Sequence, residues 1–168
     1  MKELILIKSG EIALKGLNRT TFEDVLLKNI RRKLADLGKF RCYKAQSTMY
    51  IEPQEDGIDL DEAVDRVRKV FGIAALTRAC IVEKDFEDIK AKTVEYLKET
   101  LSEASTFKVE AKRSDKTFLM NTPQICTELG GYLLEQFPGL TVDVHNPQVT
   151  VMVEIRDFAA YIHAGQIE

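Results

Sequence analysis

The sequence of 168 residues has no apolar run of eighteen residues, so it predicts no transmembrane helix. Its first residues, MKELILIKSG, contain only a short apolar segment before Lys8. That segment is too short for the apolar region of a secretory signal peptide. We therefore expect a cytoplasmic protein that does not interact with a membrane.

Cysteine and histidine are also scarce. The three cysteines, Cys42, Cys80 and Cys126, form no CxxC pair, and an odd number argues against a disulfide framework. Reduced and mostly buried thiols are the preferred interpretation, with a catalytic role for one of them as the alternative. Neither His145 nor His163 has a sequence context that marks it as an activating base.

Catalytic motifs are missing as well. The sequence contains no GxxxxGK[ST] loop, no SGGxDS-like phosphate loop, no GxGxxG and no HExxH. Its many carboxylates follow the pattern of solvated helix faces. We therefore predict no catalytic residue, no cofactor-binding residue and no metal ligand in this chain.

Hydrophobic periodicity predicts an α+β protein with two domains. Residues 1–76 give the order β-α-β-β-α-β, with helices near 18–37 and 59–72, which is the pattern of ferredoxin-like domains. Residues 77–168 give α-β-α-β-β, with helices near 86–104 and 121–137, a strand TFKVEAKR, a strand LTVDVHNP and one long strand or a hairpin after it. A boundary near residue 60 is the alternative division.

Positive charge is concentrated in the first fifty residues. They carry eleven Lys or Arg against five Asp or Glu, a balance of +6, whereas the remainder has a balance of −9. Lys15, Asn18 and Arg19 lie where a glycine-rich turn enters the first helix, and helix N-termini favour anions. Lys28, Arg31 and Arg32 follow off its apolar stripe. A phosphate backbone could follow this row; the alternative is a plain loop followed by a solvated basic helix.

A second basic cluster lies in KVEAKRSDKTF. Lys108 and Lys112 project from one face of a strand, and Arg113, Lys116 and Phe118 follow. Cations beside an aromatic ring suit RNA, because a base can stack while phosphates are neutralised. The alternative is a solvated strand edge with Phe118 buried. In DVHNP, by contrast, Asp143, His145 and Asn146 favour a polar turn over a metal site.

The segment GEIALKGLNRTTFEDVLLKNI resembles the N-terminal signature of the ThiI-type tRNA sulfurtransferases, the tRNA 4-thiouridine synthetases. FKVEAKRSDKTF and VDVHNP resemble strands of the THUMP module in the same family. The resemblance covers the chain in the right order and rests on these positions of the first segment: Gly10, Glu11, Lys15, Gly16, Asn18, Arg19, Phe22, Glu23, Asn29 and Ile30.

The resemblance implies an N-terminal ferredoxin-like domain at 1–76 and a THUMP domain at 77–168, both of which bind tRNA. It implies that further domains supply the chemistry: an ATP-binding PP-loop domain that uses ATP and magnesium and, in some members, a rhodanese-like domain. We expect tRNA contacts from Lys15, Asn18, Arg19, Lys28, Arg31, Arg32, Lys108, Lys112, Arg113 and Lys116.

The same resemblance implies partners and a wider role for a longer parent protein. A cysteine desulfurase supplies the sulfur, family members typically form homodimers, and the family is linked to the thiazole of thiamine. Alone, this chain is expected to be inactive in sulfur transfer. The alternative function is a non-catalytic ferredoxin-like protein-interaction or regulatory module without RNA binding, which the acidic balance after residue 50 favours.

Overall fold

The computed structural model describes residues 1–9, 19–45, 48–70 and 73–165, apart from the side chains of Ser9, Arg19, Thr20 and Ala74. The described chain forms two compact units, one from Glu3 to Arg78 and one that joins Met1 and Lys2 to Ala79–Gly165. None of the helices in these ranges combines the length and the apolar composition that crossing a bilayer requires.

The first unit has the predicted order β-α-β-β-α-β. Its elements are β1 (Glu3–Ser9), α1 (Arg19–Leu34), β2 (Phe40–Ala45), β3 (Thr48–Pro53), α2 (Leu60–Arg68) and β4 (Ile73–Val82), whose residues from Ala79 onward belong to the second unit. The strand order in this unit is β2-β3-β1-β4, with β3 antiparallel to both β1 and β2. The ferredoxin-like prediction for this part of the chain is confirmed.

The spacing of apolar residues predicts that α1 packs through a stripe of Phe22, Val25, Leu26, Ile30, Leu34 and Leu37, and the observed stripe differs slightly from it. Leu26, Ile30 and Leu34 are buried as expected, and Leu27 is buried too, but the side chain of Val25 is 51% exposed. Successive helical residues are about 100° apart, so Val25 falls on the flank opposite Leu27 when the core faces Leu26 and Ile30. Spacing alone could not choose between the two flanks.

Helix α1 ends at Leu34, earlier than predicted, in a turn closed by the bond from the Leu37 N–H to the Leu34 carbonyl oxygen. Gly38 follows with φ +146°, a conformation that favours glycine. A Cβ at this position would lie 2.6 Å from Glu55 Oε1 and 2.9 Å from carbons of Ile58. Glu55 Oε1 also accepts the Lys39 N–H at 3.1 Å, so its displacement would break a hydrogen bond.

The second unit continues with two helices, a mixed sheet and a third helix. Its elements are α3 (Phe86–Tyr96), α4 (Lys98–Glu103), β5 (Thr106–Arg113), α5 (Thr122–Gln136), β6 (Thr141–Val142), β7 (Val149–Ile155) and β8 (Ala160–His163). The strand order is β4-β8-β7-β5-β6; β5 is parallel to β6 and β7, and β8 is antiparallel to β4 and β7. Together the two units confirm the predicted α+β class.

Two predicted elements of this unit are corrected, and one of two predicted alternatives is selected for the third. The helix expected at 86–104 is two helices that meet at Leu97. The strand expected in LTVDVHNP is reduced to β6, because Asp143 Oδ1 accepts the N–H groups of His145 and Asn146 and turns the chain. The last segment is the hairpin of β7 and β8, with the Arg156 N–H donating to the Ala159 carbonyl.

The core of the second unit separates the two faces of β5. Phe107, Val109 and Ala111 alternate along β5 and share one face of the strand. Phe107 is fully buried in one core cluster with Ile125 and Leu129 of α5. Lys108, Glu110 and Lys112 therefore project from the opposite face of the strand. Of the three thiols, Cys42 and Cys80 are buried and Cys126 is partly buried, and none of them forms a disulfide. Burial raises the pKa of the Cys42 thiol.

We expect Gly38→Ala to lower the free energy of unfolding by about 1–3 kcal/mol, since alanine is strained at this φ and its Cβ collides with Glu55 and Ile58. Urea denaturation measures the change. The control is Gly139→Ala, because a Cβ on Gly139 meets nothing within 4 Å. Equal stability of the two variants would contradict the account of this turn.

Candidate nucleic-acid interface

Part of the first predicted basic group lies outside the described residues. Lys15 and Asn18 belong to the undescribed range 10–18, and Arg19 begins α1 with a side chain that is not described. Their predicted contacts with tRNA stay predictions. The geometry of the group is therefore given by Lys28, Arg31 and Arg32.

These three residues form an exposed basic face on α1. Lys28, Arg31 and Arg32 are all exposed, as is Lys33, which the sequence analysis did not select. Arg31 also has a structural role, because its Nη2 donates to the Cys42 carbonyl oxygen at 2.7 Å. Strand β2 is at the end of the strand order in its unit, so this bond satisfies a carbonyl at the edge of the sheet that the described residues form. The exposed face is consistent with either of the two interpretations left open by the sequence.

The second predicted basic group lies on β5 and in the loop after it. Lys108 Nζ forms an ion pair with Glu110 Oε1 at 2.6 Å, so its charge is locally compensated. Lys112 and Lys116 are exposed, and neither has an ion pair within the part of the chain that the structure describes. In this group, Lys112 and Lys116 are therefore the cations best placed to meet a polyanion.

Arg113 is directed into its own loop. Its Nη1 donates to the carbonyl oxygens of Phe118 at 3.0 Å and Met120 at 3.2 Å, and its Nε is buried with no hydrogen-bond partner among the described residues. One guanidinium thus holds both ends of the segment 118–120. The loop of residues 114–120 is fixed from within by the side chain that sequence reasoning selected for RNA contact.

Lys84 holds the same loop from the side. Its Nζ donates to Asp115 Oδ2 at 2.5 Å and to the Asp157 carbonyl oxygen at 2.9 Å, so it joins two loops that are distant in sequence. Asp115 Oδ1 also accepts the N–H and the hydroxyl of Thr117. The hydrogen bonds from Lys84 and Thr117 hold the pKa of the Asp115 carboxyl well below its usual range. No sequence signal identifies Lys84, because its partners lie 31 and 73 residues away.

The loop and the start of α3 enclose a cleft of about 350 Å³, lined by Phe86, Phe118 and Met120 together with Lys84 and Asp115. Phe118 is half-buried and packs against the core of its unit. The side chain that the loop displays is Leu119, which is 98% exposed. The fixed loop therefore presents an apolar tip next to the charge of Lys116.

A buried charged cluster lies on β7, β8 and the turn between them. Glu154 Oε1 accepts from Arg156 Nη2 at 2.5 Å, and Glu154 Oε2 lies 2.9 Å from His163 Nε2. Burial opposes ionisation of Glu154, but the bonds from His163 and Arg156 outweigh it and lower the pKa of the carboxyl to about 2. Glu154 lies beside Lys112 in the register of β5 and β7. The cluster supports the strand from which Lys112 projects.

Other clusters in the described ranges do not form a metal site. No group of three His, Cys, Asp or Glu side chains there is arranged to hold a metal ion. The DVHNP segment is the polar turn that the sequence analysis preferred, with Asp143 accepting two backbone N–H groups.

Two protein-family models match the chain. A model of the ThiI ferredoxin-like domain matches residues 4–77, and a model of the THUMP domain matches residues 83–163. The chain joins a ThiI ferredoxin-like domain to a THUMP domain. The loop of residues 114–120 and the Lys84 bridge thus belong to the THUMP domain, and the basic face of α1 belongs to the ferredoxin-like domain.

Known proteins match this chain along all or nearly all of its length. The probable tRNA sulfurtransferase of Acetivibrio thermocellus is 46% identical over 170 residues, which is 100% of this chain and 43% of that protein. The crystal structure of a 4-thiouridine synthetase–RNA complex with bound ATP superposes with a TM-score of 0.84 at 32% identity, over 100% of this chain and 42% of that one. The crystal structure of a Pyrococcus horikoshii Ot3 protein superposes with a TM-score of 0.83 at 26% identity, over 99% of this chain and 55% of that one. The chain spans less than half the length of the tRNA sulfurtransferase it resembles.

We expect Asp115→Asn to make the loop of residues 114–120 less rigid, because the variant loses the ion pair with Lys84. Amide hydrogen exchange at residues 116–120 should become faster. Asp157→Asn is the matched control, since Lys84 is bonded to the backbone carbonyl of Asp157 and not to its side chain. Equal exchange in the wild type and Asp115→Asn would contradict the proposed role of this bridge.

We expect Glu154→Gln to destabilise the THUMP domain in a pH-dependent way. The folded pKa of about 2 is below the usual glutamate pKa of 4.5, so ionised Glu154 contributes stability above about pH 4.5 that is lost as the pH falls towards 2. The free energy of unfolding of the variant should be lower than that of the wild type by about 1–3 kcal/mol near neutral pH, and this difference should shrink below pH 4.5. Urea denaturation across this range measures it, with exposed Glu135→Gln as the control. A deficit that does not change with pH would contradict the prediction.

Proposed function

We propose that this chain is the tRNA-binding portion of a tRNA 4-thiouridine synthetase. In this proposal it positions tRNA for ATP-dependent sulfur insertion into a uridine by a separate PP-loop domain. The observation that carries the proposal is the occurrence of both domains, in order, across a chain that is 46% identical along its whole length to a probable tRNA sulfurtransferase. The solved synthetase with RNA is a second support.

The physical part of the proposal concerns the charges that remain available to a phosphate backbone. Lys112 and Lys116 in the THUMP domain and Lys28 and Arg32 in the ferredoxin-like domain are exposed. Lysine and arginine that neutralise phosphates release condensed counterions, which gives affinity and a dependence on salt. Arg113 is assigned a positioning role, because its described hydrogen bonds are to the backbone of its own loop.

The chemistry and the remaining partners belong to the longer protein in this proposal. ATP and magnesium would bind the PP-loop domain, a cysteine desulfurase would supply sulfur, and homodimers would bring two chains to one tRNA. A link to thiamine thiazole formation is part of the same proposal. No residue of this chain is assigned a catalytic step.

The second candidate is a protein-interaction or regulatory module without RNA binding. The balance of −9 over residues 51–168 favours it, because acidic surface repels RNA. Titration of labelled tRNA at low and at moderate salt separates the two functions. Affinity that falls steeply with salt supports the tRNA-binding portion, and no binding at low salt supports the interaction module.

We expect Lys112→Ala and Lys116→Ala each to weaken tRNA binding by about threefold to tenfold and to reduce the salt slope by about 1, because each removes one phosphate contact. Filter-binding titrations at several salt concentrations measure both quantities. Lys98→Ala is the control, since Lys98 is also exposed in the THUMP domain but lies on α4 and belongs neither to β5 nor to the loop of residues 114–120. If all three variants bind tRNA as the wild type does, these two lysines are not the contacts.

A further inference from the structure

Three side chains of the ferredoxin-like domain form one continuous stack. The rings of Tyr43 and Tyr50 are 4.9 Å apart between centroids and only 7° from parallel. The guanidinium carbon of Arg41 lies 4.4 Å from the centroid of the Tyr43 ring. The stack therefore runs from Tyr50 through Tyr43 to a guanidinium group.

Strand register explains why these residues meet. Tyr43 and Tyr50 are direct partners in the antiparallel pair of β2 and β3, and Arg41 precedes Tyr43 by two residues, so all three project from one face. Tyr50 is 1% exposed, Tyr43 is half-buried and Arg41 is exposed. The stack is thus anchored at one end and open at the other.

The guanidinium of Arg41 is held by the ring and not by a carboxylate. Among the described residues it takes part in no hydrogen bond or ion pair, although Glu52 is its direct partner in the strand register. A guanidinium on an aromatic ring keeps its donors and its outer face available. Arg41 therefore presents a flat, charged surface whose orientation is already set.

A second arginine reaches the same part of β2. Arg31 donates to the carbonyl oxygen of Cys42, the residue between Arg41 and Tyr43. Lys28 and Arg32 are exposed on the same helix as Arg31. Arg31 and Arg41 supply positive charge at this point of β2. Glu52 is the register partner of Arg41, and Glu23 and Asp24 lie 3.9 Å and 3.0 Å from Lys44 Nζ further along the strand. A planar stacking surface beside cations is the chemistry that recognises an unpaired nucleotide.

We propose that Arg41, stacked on Tyr43, is a binding site for an unpaired nucleobase of RNA. The base stacks on the outer face of the guanidinium, and Arg31 and Arg41 neutralise the adjoining phosphate. The site rests on the proposed function, since it deepens tRNA binding by the same chain, but the two residues that form its stack, Arg41 and Tyr43, lie outside both basic groups that the sequence predicted.

Three variants of the full chain separate stacking from charge. Arg41→Ala should weaken tRNA binding by about tenfold, as loss of one stacked base does. Arg41→Lys keeps the positive charge but lacks the planar guanidinium. It should therefore keep the salt dependence of the wild type and still show most of the loss in affinity that Arg41→Ala shows. Lys39→Ala is the matched control, because Lys39 is an exposed cation of the same domain and its removal changes the net charge equally. Thermal unfolding should be unchanged in all three.

Two RNA probes test whether the base must be unpaired. Arg41→Ala should weaken binding of a single-stranded RNA of about 10 nucleotides and leave binding of the same sequence as a duplex unchanged. Two results would overturn the site, because they would show that Arg41 contributes only its charge. One is equal affinity of Arg41→Lys and the wild type, and the other is an equal loss of affinity of Arg41→Ala for both RNA probes. Unchanged binding by Arg41→Ala while Lys112→Ala binds more weakly would overturn the site alone. Absence of RNA binding by the wild type would overturn the proposed function together with it.

Discussion

The candidate surface of the THUMP domain depends on the hydrogen bonds that the Arg113 guanidinium donates. From the end of β5, Arg113 holds the carbonyl oxygens of Phe118 and Met120 in the following loop. The bonds from Lys84 to Asp115 and Asp157 hold the same loop from the other side. Without these bonds, the ordering of the exposed Lys116 and Leu119 would have to occur at binding and would reduce affinity. The loop is organised before any ligand arrives.

Charge in this protein is divided between internal bonds and exposed positions. Arg31, Arg113 and Lys84 each donate to backbone carbonyls, and Lys108 is paired with Glu110. The exposed and unpaired cations are a smaller set than the count of Lys and Arg suggests. Surface ion pairs contribute little stability, whereas a bond that satisfies a loop carbonyl determines where the loop lies. This division explains how an acidic protein can still present a local surface for a polyanion.

Much of the fold could be predicted from the sequence because it follows from local patterns. The alternation in TFKVEAKR predicted β5, and Asn121 with Gln124 forms the capping box that begins α5. The interruption at Leu97, the exposure of Val25 and the internal role of Arg113 could not be predicted, because each depends on packing or on bonds with residues that the local pattern does not specify. Lys84 is the clearest case, since its partners come from two separate loops.

Lysine acetylation footprinting with and without tRNA tests the central claim most directly. Mass spectrometry of the full chain would report the reactivity of each lysine. The account predicts that tRNA protects Lys112 and Lys116 of the THUMP domain and leaves Lys98 as reactive as before. Protection spread equally over Lys98, Lys112 and Lys116, or no protection at any lysine, would contradict it.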